Sequence, residues 1–380
     1  MKKSLGIYLH IPFCIKKCNY CDFCSFPKMT SEKMHAYTKA LTRDMRAFAK
    51  KYSSEYSVDN VYFGGGTPTL LPTACFEEIF DTLHACFDLL PDAEISAECN
   101  PATADVKKLT ELRCLGINRL SIGLQSVHDV ELRALGRLHS FEDFKRIFSE
   151  AREAGFDNIS ADLMYGIPLQ TVESFRETLR TVCLLEPEHI SAYCLKIEEG
   201  TPFYSKRESL VLPDEDCELE MYLSCTEILS EYGYGKYEIS NFSKEGRESK
   251  HNLRYWRGDD YIGFGVGAYS YVDGVRFGNS RDFDGFVRGE DITEERRQID
   301  ERERLDEYIM LSLRLCEGLS CTELKRRTGL DLFEFYPYAE ILVKNGIMRL
   351  EGDRLSFTDR GFFVSNSVLS DMISDRDDNM

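Results

Sequence analysis

In the first half of the chain, short apolar runs alternate with stretches whose apolar residues return every three or four positions. Leu5–Ile11 reads as a strand. Ser31–Tyr52 reads as a helix with Ser31 as its N-cap and Met34, Tyr37, Leu41 and Met45 along one face. The same rhythm predicts strands at 58–63, 93–98, 119–123, 158–162 and 190–197. Between them it predicts helices at 73–89, 105–115, 141–154 and 172–185, the second closed by Gly116 and the third by Gly155. Six β/α steps imply a parallel sheet with right-handed crossovers, either an open sheet or a barrel. In both, the loops at the C-terminal strand ends carry the chemistry. The unusual local sequences sit there: the cysteine run 14–21, Gly64-Gly65-Gly66-Thr67-Pro68, Glu98-Cys99-Asn100-Pro101, Gln125-Ser126 and Gly166-Ile167-Pro168.

After residue 212 the rhythm changes. A long acidic helix is expected over 213–232 and a short strand over 237–242. Then comes His251-Asn-Leu-Arg-Tyr-Trp256, with the single tryptophan of the chain. Ile262-Gly-Phe-Gly-Val-Gly-Ala-Tyr-Ser270 alternates apolar residues with glycine. It reads either as a strand approached closely by a ligand or another backbone, or as a bend in an edge strand. No helix follows it, so a dinucleotide loop is rejected. From about residue 300, helices at 302–315, 319–328 and 333–345 precede a hairpin around Glu351-Gly-Asp353, an order that resembles a winged helix. The expected units are 1–212, 213–299 and 300–380.

Composition narrows the setting. At 380 residues and 43% hydrophobic, the chain can bury large cores. Fourteen cysteines, with no apolar run after the two N-terminal lysines, suggest a reducing, cytoplasmic location. No run approaches the roughly 20 apolar residues of a membrane span. A net charge of −18 argues against nucleic-acid binding, and the winged-helix-like unit carries no basic stripe. Its expected role is packing or partner binding. The acidic end from Asp371 is expected to fray.

Cys14, Cys18 and Cys21 form C-x3-C-x2-C with Tyr20 just before the last thiol. Three thiolates in one short loop can hold three corners of a cubane iron–sulfur cluster and leave the fourth iron open, unlike four-cysteine electron-transfer clusters. The competing reading is zinc, with Cys24 as fourth ligand, but no second C-x2-C or H-x3-H run lies nearby. Consecutive glycines at 64–66 let backbone groups approach a charged ligand. Glu98 can accept hydrogen bonds from a ribose or an amino group. Gln125, Arg137 and Asp162 fall in or after later strand ends.

Taken together, Tyr8-Leu-His-Ile-Pro-Phe-Cys14, the run from Tyr62 through GGGTP to Leu71, Glu98–Pro101, Arg119–Ser126, Asp162–Pro168, HNLRYW and GFGVGAYS resemble the radical S-adenosylmethionine superfamily. Within it, they resemble the group holding oxygen-independent coproporphyrinogen III oxidase and the HemW haem chaperones. The resemblance runs from Tyr8 to about Phe362. It implies a partial (β/α)6 barrel with a C-terminal module, and a [4Fe–4S] cluster on Cys14, Cys18 and Cys21. S-adenosylmethionine would chelate the fourth iron, in contact with Tyr8, Tyr20, Gly66, Thr67, Glu98, Gln125, Arg137 and Asp162, and reductive cleavage would yield a 5′-deoxyadenosyl radical. A reductant such as flavodoxin or ferredoxin is implied, and a homodimer is allowed.

Two departures separate this chain from the oxidase. Cys24 stands three residues after Cys21, where the oxidase has a cysteine two residues on, and only thirteen residues precede Cys14. The expectation is therefore a HemW-like chaperone that binds haem and passes it to acceptor proteins, with coproporphyrinogen III oxidation as the alternative and a zinc-bound regulatory protein third. His251 is the expected haem contact, against a structural histidine. Tyr269 stands where many relatives carry a histidine, which leaves a second histidine contact in doubt.

Overall fold

The computed structural model describes residues 2–374. Six parallel strands, β1 (Lys3–Ile11), β2 (Tyr56–Gly65), β3 (Leu89–Cys99), β4 (Arg119–Gln125), β5 (Ile159–Tyr165) and β6 (His189–Cys194), lie side by side in chain order. The crossovers between them contain α1 (Ser31–Tyr52), α2 (Thr73–Cys86), α3 (Val106–Leu115), α4 (Asp129–Ala134), α5 (Phe141–Glu153) and α6 (Val172–Cys183). Right-handed crossovers wound in one direction put every helix on the same face, so the sheet curls into a partial barrel rather than a doubly wound sheet.

The barrel is extended at both ends. After α7 (Glu215–Glu231), the hairpin of β7 (Gly235–Glu238) and β8 (Asn241–Ser243) adds to β6. Beyond α8 (Lys250–Arg257), β9 (Tyr261–Phe264) runs parallel to β1. β10 (Tyr269–Val272), β11 (Val275–Asn279) and β12 (Thr293–Gln298) follow antiparallel. Among the described residues this makes one sheet of twelve strands.

Alternation along β1 shows how the layers are built. Leu5, Ile7, Leu9 and Ile11 are fully buried under the helices, while Tyr8 and His10 point into the barrel. Tyr37, Ala40, Leu41 and Met45 form the matching stripe on α1.

Several expected boundaries move. Thr30, not Ser31, caps α1: its backbone is extended and its hydroxyl accepts from the Lys33 amide, while Ser31 is already helical. α2 stops at Cys86 because Leu89 pairs with Val58 and opens β3. The stretch 237–242 is a tight hairpin. GFGVGAYS is a reversal joining β9 to β10, in which Gly265 (φ +98°) and Gly267 (φ +67°) occupy left-handed backbone. The bend is therefore correct and the bare strand face is not.

The C-terminal module starts with α9 (Glu301–Ser312). A short strand at 319–320 pairs with the hairpin of Met348–Glu351 and Arg354–Phe357, and α10 (Cys321–Thr328) lies between. This is a winged-helix-like order. The expected helix 333–345 is split at Pro337, which forces Tyr336 out of the helical region. The module docks on β7: the Lys236 ammonium reaches Asp359 at 3.0 Å and the Tyr222 hydroxyl at 2.6 Å, and the Cys316 amide donates to the Tyr237 carbonyl. Most of the acidic end lies outside the described residues.

Candidate functional site

The cysteine loop leaves the C-terminal end of β1 and is stitched to the glycine loop. The amides of Gly66 and Thr67 donate to the carbonyls of Ile11 (2.9 Å) and Phe13 (2.7 Å). A Cβ on Gly66 would lie 2.6 Å from the Phe13 carbonyl oxygen, so only glycine permits this approach. The Thr67 hydroxyl comes within 3.8 Å of the Cys14 sulfur. Cys14, Cys18 and Cys21 are half-buried. Burial raises the Cys14 thiol and pushes Cys21 up to about 11, and each of these two sits within electrostatic reach of the other cysteines of the triplet.

Arg137 holds the other side of the loop. One guanidinium nitrogen donates to the Cys18 sulfur at 3.6 Å and another to the Gly123 carbonyl on β4 at 2.6 Å. Its Nε is buried without a partner. Tyr20 packs on the small apolar cluster of Leu135, Ile167, Leu195 and Phe203, and burial raises its phenol. Gln125 ends β4 with φ +77°, a left-handed conformation unusual for a side-chain-bearing residue.

Inside the barrel, the Glu98 carboxylate accepts from the Tyr62 hydroxyl and the Gly65 amide, both at 3.1 Å. Burial, then the Asp162 charge, push it up to about 7. Asp162 accepts from Ser121 (2.7 Å) and Ser160 (3.0 Å). Gly66, Thr67, Gln125 and Arg137 thus lie with the cysteine loop at the C-terminal strand ends, while Tyr8 and Asp162 sit mid-strand inside the barrel.

The sequence reading missed their neighbours. His10 bridges the Tyr8 hydroxyl (3.0 Å) and the Cys24 carbonyl (2.8 Å), and its ring lies directly under Gly65. Ser160 connects Asp162 to His189, and His189 connects to Tyr237. The signal was present as polar residues at alternate positions, as in Glu94, Ser96 and Glu98 or Ser160 and Asp162, hidden between apolar ones.

His251 lies on the other side of Tyr8, toward the strand N-termini. Its ring stacks on Tyr62 (4.9 Å) and Tyr8 (5.9 Å), Nδ1 meets Asn60 at 2.7 Å and Nε2 meets the Tyr255 hydroxyl at 2.9 Å. It is 2% exposed, and burial lowers its pKa to about 3. Both nitrogens are engaged. In this arrangement His251 behaves as the structural histidine of the competing expectation, bonded to side chains rather than backbone, and offers no nitrogen to iron.

The donor set at the mouth is three half-buried free thiols on one short loop. A cubane takes each thiolate on a different iron, which three sulfurs spread along one loop can provide. Cys24 is 8% exposed, a Cβ on Gly267 would lie 3.0 Å from its own Cβ, and burial raises its thiol.

Residues 8–182 match the Radical SAM superfamily and residues 299–364 the HemN C-terminal domain. The heme chaperone HemW of Bacillus subtilis is 34% identical over 372 residues, covering 95% of this chain and 97% of that protein. The HemW of Escherichia coli is 34% identical over 370 residues, covering 96% and 97%. The solved structure of coproporphyrinogen III oxidase (HemN) from Escherichia coli superposes with a TM-score of 0.84 at 24% identity, covering 98% of this chain and 90% of that one, and so shares the fold. The chain belongs to the HemW family of the radical SAM superfamily.

Proposed function

We propose that this protein is a haem chaperone that binds haem and hands it to acceptor proteins, built on a [4Fe–4S]/S-adenosylmethionine scaffold. The observation that carries the reading is near-full-length identity to several proteins named heme chaperones, at 30–34%. Cys14, Cys18 and Cys21 would hold three irons. S-adenosylmethionine would take the fourth, among Tyr8, Tyr20, Gly66, Thr67, Glu98, Gln125, Arg137 and Asp162. When bound, the pair supplies one-electron reduction of a sulfonium. The chain's own part is placement. Arg137 ties the loop to β4, Thr67 and Gly66 tie it to β2, and Glu98 is poised near neutrality to hold or release a proton.

On this reading the reductant is a flavodoxin- or ferredoxin-type protein, homodimers are allowed, and the reduced thiols suit the cytoplasm. Among the described residues no helix is long and apolar enough to cross a membrane. We divide the chain functionally at about residues 212 and 299.

Coproporphyrinogen III oxidation is the second reading, favoured by the shared fold. The buried position of Cys24, three residues rather than two after Cys21, weighs against it. One anaerobic experiment tests both. Reconstituted protein should bind about four irons per chain, bind haem, and release no protoporphyrinogen from coproporphyrinogen III. Turnover of that substrate without haem binding would overturn the proposal.

A further inference from the structure

Helix α4 is only six residues long, yet it joins three loops of the barrel mouth. Its C-terminal end carries the cysteine loop. The Asn19 amide donates to the Leu135 carbonyl and the Asn19 side-chain nitrogen to the Ala134 carbonyl, both at 3.0 Å. A Cβ on Gly136 would lie 2.9 Å from the Asn19 side chain, so the two segments are in direct contact. Arg137, next along the chain, bonds to the Cys18 sulfur.

The first turn of the same helix carries Glu131, which is 2% exposed. Its carboxylate gathers three neutral donors from three places. Oε2 accepts from the Ser126 hydroxyl at 2.6 Å and from Gln170 Nε2 at 3.3 Å, and Oε1 accepts from the Ser174 hydroxyl at 2.7 Å. Ser126 follows β4, Gln170 follows β5 and Ser174 lies in the first turn of α6. A carboxylate is costly to bury unless it is bonded. This one is compensated only while all three segments keep their places.

Both loop partners pass the restraint on. Gln170 Nε2 also donates to the Met164 carbonyl at 3.2 Å, and its Oε1 accepts from the Ile167 amide at 3.4 Å, which closes the turn Gly166-Ile167-Pro168. Ser126 passes it to Gln125. The pairing of β4 with β5 shifts register between Gly123 and Gln125, and Gln125 has φ +77°. A bulge of this kind re-aims a side chain. A residue with a side chain stays in left-handed backbone only where its surroundings hold it there, and here the next residue is fixed by Glu131.

We infer that Glu131 is a positioning residue for S-adenosylmethionine. Through Ser126 and Gln170 it sets Gln125 and the Gly166-Ile167-Pro168 turn at a fixed place relative to the cysteine loop, which α4 also carries. The inference rests on the cluster and S-adenosylmethionine reading above. Glu131 touches no reacting atom and acts through the loops it holds.

The test uses the full chain, reconstituted anaerobically. It reads iron content, melting temperature, S-adenosylmethionine affinity by equilibrium dialysis, and the electron paramagnetic resonance of the dithionite-reduced cluster with and without S-adenosylmethionine. In Glu131→Gln the amide oxygen can still accept from Ser126 and Gln170. Its nitrogen can donate to the Ser174 hydroxyl, which turns its own proton to the Thr171 carbonyl 3.1 Å away. This variant should bind S-adenosylmethionine within about twofold of wild type. Glu131→Ala and Gln170→Ala should bind it about tenfold more weakly or worse, and their cluster resonance should respond weakly to it. Iron content should stay at about four per chain, because Asn19 bonds to backbone carbonyls and the thiols are untouched. Gln170→Ala keeps the carboxylate and decides the matter alone if Glu131→Ala does not fold. Unchanged affinity and an unchanged resonance response in the folded variants overturn the assignment and leave the cluster reading intact. So does a loss of iron in step with the loss of affinity, which would make Glu131 a support of the cysteine loop only. A wild type that takes up iron but binds no S-adenosylmethionine overturns the scaffold reading, and this assignment with it.

Discussion

Replacing His251 by alanine should cost stability before it says anything about haem. The neutral ring, with its proton on Nδ1, donates to Asn60 Oδ1 and accepts from the Tyr255 hydroxyl. Asn60 is held in that orientation by its own bond to Asp59. Alanine leaves the Oδ1 of Asn60, which is 1% exposed, without its His251 partner and the Tyr255 hydroxyl unpaired, and opens a cavity between Tyr62 and Tyr255. Unpaired buried groups cost about 1–3 kcal/mol each and a cavity of this kind adds about 2, so the loss should be about 4–8 kcal/mol. The pH dependence gives a second measure. Burial, then the charges of Arg254 and Arg119, oppose protonation of His251 in the folded chain and hold it down to about 3, against 6.5 for an ordinary histidine. Between these values the unfolded chain binds a proton that the folded chain refuses, so this residue's contribution to stability falls with falling pH by about 1.4 kcal/mol per unit. Other groups titrate in the same range, so the relevant quantity is the difference between wild type and His251→Gln, which should shrink steadily from pH 6.5 toward pH 4. Urea unfolding followed by Trp256 fluorescence measures both, since Trp256 lies on the same helix. A His251→Ala protein within about 1 kcal/mol of wild type, lacking the Soret band of haem-loaded wild type, would refute this account and restore His251 as an iron ligand.

Glu238 has the opposite sign. It is fully buried, and burial raises it to about 7. Its favourable contribution is present below pH 4.5 and lost as pH rises through 7, so Glu238→Gln should stabilise by about 3 kcal/mol at pH 8 and by almost nothing at pH 5, by urea titration. Gly265→Ala combines φ +98° with a Cβ placed 2.2 Å from the Tyr37 hydroxyl. It should destabilise by about 2–4 kcal/mol and lower iron incorporation, read by calorimetry and iron assay, because Tyr37 also bonds to the carbonyl of His10. Arg137→Lys cannot span Cys18 and Gly123 with a single ammonium. Iron content should survive, while S-adenosylmethionine affinity, by equilibrium dialysis, should fall about tenfold or more.

The cysteine loop and the strand-end loops were legible because their signals are local: a fixed spacing, a glycine triplet, a polar residue ending an apolar run. What failed was non-local. Leu89 sits among residues with helical spacing, and only its pairing with Val58 makes it a strand residue. GFGVGAYS repeats glycine at the strand period of two, yet two of those glycines serve positive φ in a reversal. His251 has the residue type of a ligand, but its bonding partner Asn60 lies 191 positions away. The inward polar row of the barrel was visible in principle as strict alternation, but a strand with one buried apolar face and one polar face does not declare whether the polar face meets solvent or a chamber.

The place of α8 explains why its sequence is so distinctive without a ligand. From one short helix, the Lys250 amide bonds to Glu94 on β3, His251 to Asn60 on β2, and Arg254 to Asp59 on β2, to Ser4 on β1 and to the Asp260 carbonyl before β9. Tyr255 packs edge-on against Tyr261 on β9, and Arg257 faces Glu317 of the C-terminal module at 3.8 Å. The helix that carries HNLRYW thus closes the floor of the barrel and bonds to three of its strands. For His251 to reach iron, this helix would have to leave the floor, stranding the Asp59 carboxylate and the Asn60 amide and baring the Tyr8–Tyr62 stack. Breaking a buried charge pair alone costs about 3–5 kcal/mol. The floor of the barrel therefore serves to hold the fold.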